Sequence, residues 1–375
     1  MTGSSDPPQH AYAAALASLP GCGPARLAAL LTTGLPQEVY ARVARGAAPR
    51  APEVAATLGR DPTALIALWR RELARMGAGG HLAQLVDAGV GVALPGDPAY
   101  PSALLDDPER PEVLFFRGDP TVALARRVAI VGTRRCTAYG RQTARRLGAE
   151  LTEAGVVVVS GLALGIDGAA HEGVLDAGGT PLGVVGSGLD VVYPRRHFRL
   201  WHAVGENGLI VSESPLGAAP EPWRFPARNR IIAGLAEIVV VVESHEAGGS
   251  QHTVDSAIAR GVQVMAVPGP VGSPPSAGSN RLLVDGAAPV LGAVEVLTAL
   301  GVDHARCVVP PVANLAVPDD DAQLVLDCLE FTPLATEKLL ATTGLAPGRL
   351  AVALAALEET GHATGRGGWW ERRCQ

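Results

Sequence analysis

The segment from Val128 to Gly140 carries residue types suited to binding a phosphate group. It runs Val-Ala-Ile-Val-Gly-Thr-Arg-Arg-Cys-Thr-Ala-Tyr-Gly, an apolar stretch followed by a short polar loop. Gly132 lets a backbone approach an anion closely, Thr133 adds a hydroxyl donor, and Arg134 adds a planar, permanently charged group. A helix that begins beyond such a loop directs free N–H groups and the positive end of its dipole toward the anion. The segment predicts a phosphate-binding loop; the alternative is an ordinary strand-to-helix turn with a surface arginine.

The spacing of the glycines indicates whether the loop suits the phosphate of a nucleotide cofactor or that of a nucleic-acid backbone. The dinucleotide fingerprint G-x-G-x-x-G requires a second glycine where this chain has Arg134, and the next glycine is Gly140. A second candidate, Gly186–Gly188, lacks the third glycine. No G-x-x-x-x-G-K-[ST] motif is present, and Lys338 is the only lysine of the chain. Nicotinamide and ATP cofactors are therefore disfavoured, and we expect a nucleic-acid backbone and no cofactor.

Strand and helix patterns alternate from about Gly91 to Gly292, which predicts an α/β fold with a doubly wound parallel sheet. The predicted strands are Val128–Val131, Val156–Ser160, Pro181–Val185, Leu209–Ser212, Ile238–Glu243, Val262–Val267 and Pro289–Leu291. Predicted helices between them include Ile166–Asp176, Arg196–Val204 and Gln251–Ala259. Ligands bind such sheets at the carboxyl ends of the strands. Small, hydroxylated loops follow several of these strands, at Gly132–Arg134, Ser160–Leu162, Gly186–Gly188, Ser212–Ser214 and Gly248–Ser250. Their convergence predicts a groove for a polyanion.

The segment from Phe225 to Leu235 adds cations to the same edge. Arg228 and Arg230 flank Asn229, a residue typical of a helix N-cap, at the start of an apolar helix. Because residues two apart lie on different helical faces, at least one arginine should point into the groove. Phe225, next to these cations, is the preferred candidate for stacking on a base, whereas Trp201 and Phe198 fit a helix core better.

Composition limits the class of protein. The 375 residues carry a net charge of −6, yet Arg126–Leu235 contains 13 arginines against 9 acidic residues, so the acidic surplus lies outside this segment. Such a basic segment is typical of a nucleic-acid footprint. The five cysteines form no C-x-x-C pair, and His245 and His252 show no ligand spacing, so neither disulfides nor a metal site is expected. No apolar run approaches about 18 residues and no secretory signal is visible, which predicts a cytoplasmic protein away from the membrane.

The flanking regions read as separate domains. We assign residues 1–85 to a helical domain, 86–304 to the sheet domain, 305–319 to a linker and 320–375 to a C-terminal domain. In the first, Leu19–Pro24 resembles the glycine hairpin of helix-hairpin-helix and SAM-like domains, although a plain turn between packed helices fits equally. In the last, predicted helices Asp321–Glu330, Ala335–Thr342 and Pro347–Thr360 precede a strand pair within His362–Arg373, which resembles a winged helix. The third helix offers Arg349 as its only cation, which disfavours groove reading by that helix and leaves Arg366, Arg372 and Arg373 of the strand pair as the candidate DNA contacts. A role in protein contacts or in supporting a dimer fits this domain equally.

Taken together, the motifs resemble the DNA-processing protein A (DprA/Smf) family. The likeness runs from Val128 to Ala287 with the motifs in order. They are Val128–Gly140, Val159–His171, Gly188–Pro194, Ser212-Glu213, Phe225–Leu235, Val242-Glu243, Gly249-Ser250, Val267–Gly269 and Gly286-Ala287. Departures include Leu164, where the family usually has a basic residue, and Arg195 and Arg196 are candidates to replace that charge.

The resemblance implies an extended Rossmann fold that binds single-stranded DNA as a homodimer and loads the RecA recombinase in natural transformation, without catalysis; binding of duplex DNA stays open. Carried over by position, the phosphate-binding residues are Gly132, Thr133, Arg134, Ser160, Gly161, Arg228, Asn229, Arg230, Gly249 and Ser250. His171 is a candidate to support the Ser160 loop.

Two other classes stay open. One is a nucleotide-processing enzyme similar to the lysine-decarboxylase-like phosphoribohydrolases. Their P-G-G-x-G-T-x-x-E motif is only partly matched by Gly248–Thr253, with Asp255 as the nearest substitute for its glutamate. The other is a scaffold that binds proteins only.

Overall fold

The computed structural model describes residues 7–47, 51–58, 62–302, 319–329 and 333–372. The chain divides into two compact units, Met1–His304 and Ala305–Gln375. The linker proposed at 305–319 lies outside the described residues except for Asp319, whose side chain caps the first helix of the second unit.

A nine-stranded sheet forms the centre of the first unit, in the order β1-β2-β6-β5-β4-β3-β7-β8-β9. The strands are β1 (Gly91–Ala93), β2 (Leu114–Gly118), β3 (Arg127–Val131), β4 (Val157–Ser160), β5 (Leu182–Val185), β6 (Leu209–Ser212), β7 (Ile238–Val241), β8 (Gln263–Ala266) and β9 (Ala288–Pro289). Strands β3 to β7 are buried on both faces. Continuous runs of Val and Ile suit strands that are buried on both faces.

The pairing confirms the doubly wound parallel sheet and adds an edge that the sequence patterns did not predict. Strands β3 to β9 pair in parallel. Strand β2 pairs antiparallel with both β1 and β6. Strand β1 has three residues, and β2 ends in Arg117 and Gly118, so neither leaves the continuous apolar run by which the buried parallel strands were predicted.

Helices cover both faces of the sheet. They are α6 (Ala138–Glu153), α7 (Ile166–Asp176), α8 (Phe198–Asn207), α9 (Arg224–Leu235), α10 (Gln251–Ala259), α11 (Ala277–Val284) and α12 (Ala293–Leu300). The predicted bounds of α7 and α10 are confirmed, and α8 begins two residues later than expected. Helices α6 and α7 approach closely because Gly173 has no side chain: a Cβ there would lie 1.9 Å from the Arg145 carbonyl oxygen.

The order of the strands reverses between β3 and β7. From β3 the chain winds through β4, β5 and β6 on one side, then returns to place β7, β8 and β9 on the other. Loops that leave β3 and β7 in opposite directions open a crevice at their carboxyl ends, the usual position of a ligand in this architecture. The fold therefore places the site at Gly132–Arg135 and His245–Ser250.

Five N-terminal helices pack against this sheet domain. They are α1 (Gln9–Ala17), α2 (Pro24–Leu31), α3 (Pro36–Ala44), α4 (Pro52–Leu58) and α5 (Thr63–Asp87). Their buried side chains share one hydrophobic cluster with residues of the sheet domain such as Phe115 and Trp201. The expectation that Trp201 is core is confirmed, whereas Phe198 is 58% exposed and that expectation was wrong. Phe198 occupies the first turn of α8 and faces solvent beside His202.

The second unit has its own small core. It contains α13 (Asp320–Cys328), β10 (Leu334–Ala335), α14 (Thr336–Thr343), α15 (Pro347–Glu359), β11 (Ala363–Arg366) and β12 (Trp369–Arg372). The strands form a three-stranded antiparallel sheet. Helices followed by a strand pair confirm the predicted winged-helix pattern.

Within the described residues, no single helix is both long and apolar enough to cross a membrane; α14 and α15 reach that length only as a pair bent by 113°.

Candidate nucleic-acid interface

A groove of about 740 Å³ opens at the reversal point of the sheet. Loops after β3 and β7 and the first turns of α9 and α10 line it. The lining residues include Gly132, Thr133, Arg134, Arg135, Ala163, Asp167, Tyr193, Phe225, Arg228, Asn229, His245, Gly249, Ser250 and His252. The structure thus brings most of the predicted site residues together, but it gives several of them roles other than the predicted ones.

The N-terminus of α6 is occupied by a carboxylate of the protein itself. Thr137 is the N-cap, and its side chain accepts from Gly140 N at 3.1 Å. Glu243, only 1% exposed, accepts from Thr137 N at 2.9 Å and from Thr137 Oγ1 at 2.6 Å. The expectation that this helix end holds an external phosphate is therefore wrong, because Glu243 already takes the favourable position for a negative charge. The signal available in the sequence was a glutamate at the end of the apolar run that contains β7.

Gly132 and Gly165 both allow the loop after β3 to pack closely against its neighbours. A Cβ on Gly132 would lie 2.6 Å from the Glu243 carbonyl oxygen, and one on Gly165 would lie 2.3 Å from the Thr133 carbonyl oxygen. Gly165 also has a φ of 83°, which side chains rarely adopt. Glycine is thus required for close packing of the loop after β3, rather than for approach of a phosphate to Gly132.

Thr133 is held by the protein on two sides. Its N–H donates to the Glu243 carbonyl at 2.7 Å, and its Oγ1 accepts from Arg135 N at 3.2 Å. The next two side chains, Arg134 and Arg135, are exposed and line the groove. A rigid loop therefore presents two adjacent cations to solvent.

Arg228 forms the floor of the groove. It is 6% exposed, and its Nη1 donates to the Gly161 carbonyl at 2.7 Å and to the Val184 carbonyl. Burial lowers the pKa of Arg228 to about 10, with Asp167 acting in the opposite direction, so the guanidinium stays protonated at neutral pH. Burial likewise raises the pKa of the Asp167 carboxyl. Arg228 points into the groove, as predicted for one of the two arginines, and it also joins the ends of β4 and β5.

Ser160 and Gly161 do not form an anion loop. The Ser160 hydroxyl is fully buried and donates to the Ile130 carbonyl at 2.6 Å. Gly161 N donates to Asp167 Oδ2 at 3.1 Å. Internal partners use both groups, which corrects the predicted phosphate contact at these two positions.

The Arg-Asn-Arg element also differs from the prediction. Helix α9 begins at Arg224, so Asn229 lies inside it and is not an N-cap. Asn229 lines the groove and donates from Nδ2 to the Gly249 carbonyl at 3.3 Å. Arg230 does not line the groove; its Nη2 pairs with Glu213 at 2.6 Å. The predicted phosphate contact of Arg230 is corrected accordingly.

The loop after β7 forms the opposite wall. Gly249 is exposed, and no atom lies within 4 Å of the position that a Cβ would occupy. Ser250, at the N-cap of α10, shares a hydrogen bond with the Ser244 hydroxyl at 2.8 Å between oxygens. The hydrogen bond from Asn229 to Gly249 joins this wall to α9, so it fixes the two sides of the groove relative to each other.

A stack of an arginine and two aromatic rings lies at the mouth of the groove. The Arg134 guanidinium carbon is 4.9 Å from the centroid of Phe225. The ring of Phe225 lies 5.5 Å from that of Tyr193, tilted by 37°. Tyr193 is 39% exposed, and Arg195 and Arg196 follow it as exposed residues. A flat ring next to a cation suits a nucleobase and its phosphate.

His171 and Asp255, both singled out in the sequence, lie in different surroundings. His171 is fully buried, and burial lowers its pKa to about 3, with the Ser160 backbone acting in the opposite direction. Asp255, the nearest substitute for a catalytic glutamate, is exposed on α10, accepts from Gln251 at 3.3 Å and does not line the groove.

In the second unit, the predicted DNA contacts are few. Arg349 of α15 pairs with Asp321 through two bonds, one of them 2.6 Å from Nε to Oδ2. Arg373 lies outside the described residues, as does the side chain of Arg366. Arg372 is exposed on β12.

A Rossmann-like sheet with a basic, aromatic groove at its reversal point and a separate winged-helix unit defines a class of DNA-processing protein, and comparison with known proteins agrees. Residues 91–301 match the family model described as DNA recombination-mediator protein A, and residues 309–368 match the DprA winged helix domain. The chain belongs to the DprA family.

Similar proteins include the DNA processing protein DprA of Bacillus subtilis, 40% identical over 202 residues, which cover 54% of this chain and 68% of that protein. The putative DNA processing protein DprA of Mycobacterium tuberculosis is 40% identical over 252 residues, 65% of this chain and 64% of that protein. Among solved structures, DprA of Streptococcus pneumoniae has a TM-score of 0.63 and 30% identity, covering 78% of this chain and 98% of that one. DprA of Helicobacter pylori, described with a single-stranded DNA binding mode, has a TM-score of 0.52 and 28% identity, covering 56% of this chain and 95% of that one.

Proposed function

We propose that this protein binds single-stranded DNA in the groove and acts as a recombination mediator that protects the strand and loads a RecA recombinase onto it. The observation that carries the DNA-binding part is the stack of Arg134, Phe225 and Tyr193 beside a second exposed cation, Arg135. Single-strand binders combine cations for the backbone with rings for the bases. Bases of a duplex are paired and stacked on one another, so a ring inside a groove favours an unpaired strand.

The proposed contacts follow the geometry of the groove. Arg134 and Arg135 bind backbone phosphates, and Gly249 and Ser250 approach the strand from the opposite wall. Phe225 stacks on a base, while Gly132, Thr133, Arg228 and Asn229 hold these groups in position. Leu164, half-buried in the adjoining crevice, contributes no charge, and the exposed Arg195 and Arg196 are suited to replace it.

The wider role rests on membership of the DprA family. The description of the family as recombination mediators supports the loading of RecA, and we propose with it action as a homodimer in the cytoplasm during natural transformation. We propose that this chain itself catalyses no reaction.

The test is fluorescence anisotropy of a labelled poly-pyrimidine strand over a salt series. The wild type should bind tightly with a steep salt dependence, and Arg134→Ala should weaken binding by about tenfold and reduce the slope by about 0.7 for the lost phosphate contact. Arg281→Ala is the matched control, because Arg281 is 65% exposed on α11, pairs with Asp285 and is not among the residues that line the groove.

Two results would contradict the proposal. Absence of wild-type binding at low salt would remove the DNA function; release of a free base from nucleotides would then support the phosphoribohydrolase alternative. Binding that Arg134→Ala leaves unchanged would place the DNA elsewhere.

A further inference from the structure

Trp223 is a large aromatic side chain that the groove does not use. It immediately precedes α9 and is 47% exposed. It lines a narrow crevice with Pro24, Gly186 and Arg224. This crevice and the one beside Phe225 share Val185, Gly186 and Arg228 in their walls, so they adjoin along the sheet edge.

Trp223 is held rigidly although it is exposed. The indole Nε1 donates to Glu221 Oε2 at 2.7 Å. The Arg224 guanidinium carbon lies 4.4 Å from the ring centroid. Arg224 is itself fixed, since its Nη1 donates to Ser214 Oγ at 2.8 Å and its Nε pairs with Glu221 at 3.3 Å. A ring ordered before binding loses little conformational entropy when a ligand stacks on it.

The glycine hairpin of the helical domain reaches the same ring. A Cβ on Gly23 would lie 3.8 Å from Trp223 Cη2, so the hairpin between α1 and α2 lies next to the edge of the indole. The hairpin is braced in turn, because Trp69 Nε1 donates to the Pro20 carbonyl at 2.8 Å. The helical domain therefore borders the crevice that Trp223 lines, to which it contributes Pro24.

The nearby acidic groups do not oppose a DNA strand. Glu221 pairs with Arg224, and Glu213, buried in the crevice wall, pairs with Arg230. Each carboxylate thus has a cationic partner within 4 Å. The crevice that Trp223 lines therefore offers an aromatic face backed by an arginine, the combination that stacks on nucleobases without regard to sequence.

We propose that Trp223 is a second base-stacking site, which receives a nucleotide of the same single strand after it leaves the groove at Phe225. This inference rests on the proposed function and extends its footprint toward the helical domain. Because the site lies beyond the groove, it matters only for strands long enough to reach it.

The experiment compares Trp223→Ala with wild type on oligothymidylates of about 4 to about 16 nucleotides, the range of site sizes in single-strand binders. Trp223→Ala should weaken the longer strands by about tenfold, leave the shortest unchanged, and be rescued by Trp223→Phe to near wild-type affinity. The matched control is Trp369→Ala, since Trp369 is 56% exposed in the C-terminal unit. Quenching of tryptophan fluorescence by the long strands should be largely lost in Trp223→Phe.

The outcomes separate the two proposals. If Arg134→Ala weakens binding while Trp223→Ala binds every length like wild type, the second stacking site is wrong and the groove stands. Quenching that persists unchanged in Trp223→Phe also overturns it. If the wild type binds no oligonucleotide, the proposed function fails and this inference fails with it.

Discussion

His171 shows how strongly a single buried residue beneath the groove is influenced by its surroundings. It lies fully buried on α7, and burial lowers the pKa of its imidazole to about 3, with the nearby Arg228 guanidinium acting in the same direction. The neutral ring is the stable form in the folded protein. A base that is neutral when folded and free to protonate when unfolded links stability to pH.

The sign follows from the two pKa values. Between about 6.5, the ordinary value, and about 3, the unfolded chain binds more protons at this position, so His171 makes the protein lose stability as the pH falls through that window. Each pH unit within it lowers the free energy of unfolding by up to about 1.4 kcal/mol. We expect His171→Leu to remove this loss, so that urea unfolding at pH 7.5 and at pH 5 differs less in the variant than in wild type.

The control for this effect is the same substitution at an exposed histidine of α10, His252→Leu. Asp167 and Glu213, whose carboxyl pKa values are raised by burial, act with the opposite sign in both wild type and variant. Equal acid sensitivity of wild type and His171→Leu would show that His171 is not protonated more readily in the unfolded chain.

At the scale of elements, the sequence predicted the layout of the sheet well and the use of its loops less well. Strands β3 to β8 were predicted because buried parallel strands leave long Val/Ile runs, and the bounds of α7 were matched at both ends. The loops after β3, β4 and β7 were rightly brought to one edge. Strand β1 has three residues and β2 ends in Arg117 and Gly118, so neither leaves such a run.

Polar partners explain why individual roles were harder to predict. The capping of α6 by Glu243, the bond from Ser160 to Ile130 and the pair of Arg230 with Glu213 all join residues far apart in sequence. Composition and spacing reveal which side chains can bind an anion. They do not reveal which of them already have a partner in the folded protein.

The loop before α7 provides an element-scale prediction. Gly165→Ala would place a Cβ against the Thr133 carbonyl and strain a φ of 83°, so it should lower the free energy of unfolding by about 2 kcal/mol or more. It should also weaken single-strand binding, because the displaced backbone carries Arg134. Gly155→Ala is the matched control: its φ is 75° and nothing lies within 4 Å of the added Cβ, so about 1 kcal/mol of strain is expected with no change in binding. Chemical denaturation and anisotropy would measure both effects, and equal behaviour of the two variants would contradict the packing role of Gly165.

At the scale of the whole molecule, charge and function are distributed unevenly. The chain has a net charge of −6, yet three arginines line the groove, Arg134, Arg135 and Arg228. Among the described residues of its lining, one is acidic, Asp167. Local cations at a concave edge can attract a polyanion even when the net charge has the wrong sign. The C-terminal unit shows a different pattern, since Arg349 on α15 is neutralised by Asp321.

This distribution predicts the result of removing the C-terminal unit. Every residue that lines the groove, and Trp223 beside it, belongs to the first unit, whose core is formed within residues 9–300. A chain ending at Val302 should therefore fold and bind a short oligothymidylate with an affinity within about twofold of the full chain.

If the C-terminal unit supplied a second DNA contact, tethering would raise the avidity of the full chain for long strands by about 10² to 10⁴, and truncation would abolish that gain. Anisotropy with short and long strands separates the cases: equal affinity of both chains for both lengths places the whole DNA interface in the first unit. A large loss confined to long strands would assign a DNA contact, or a dimer contact that doubles the number of grooves, to the winged-helix unit.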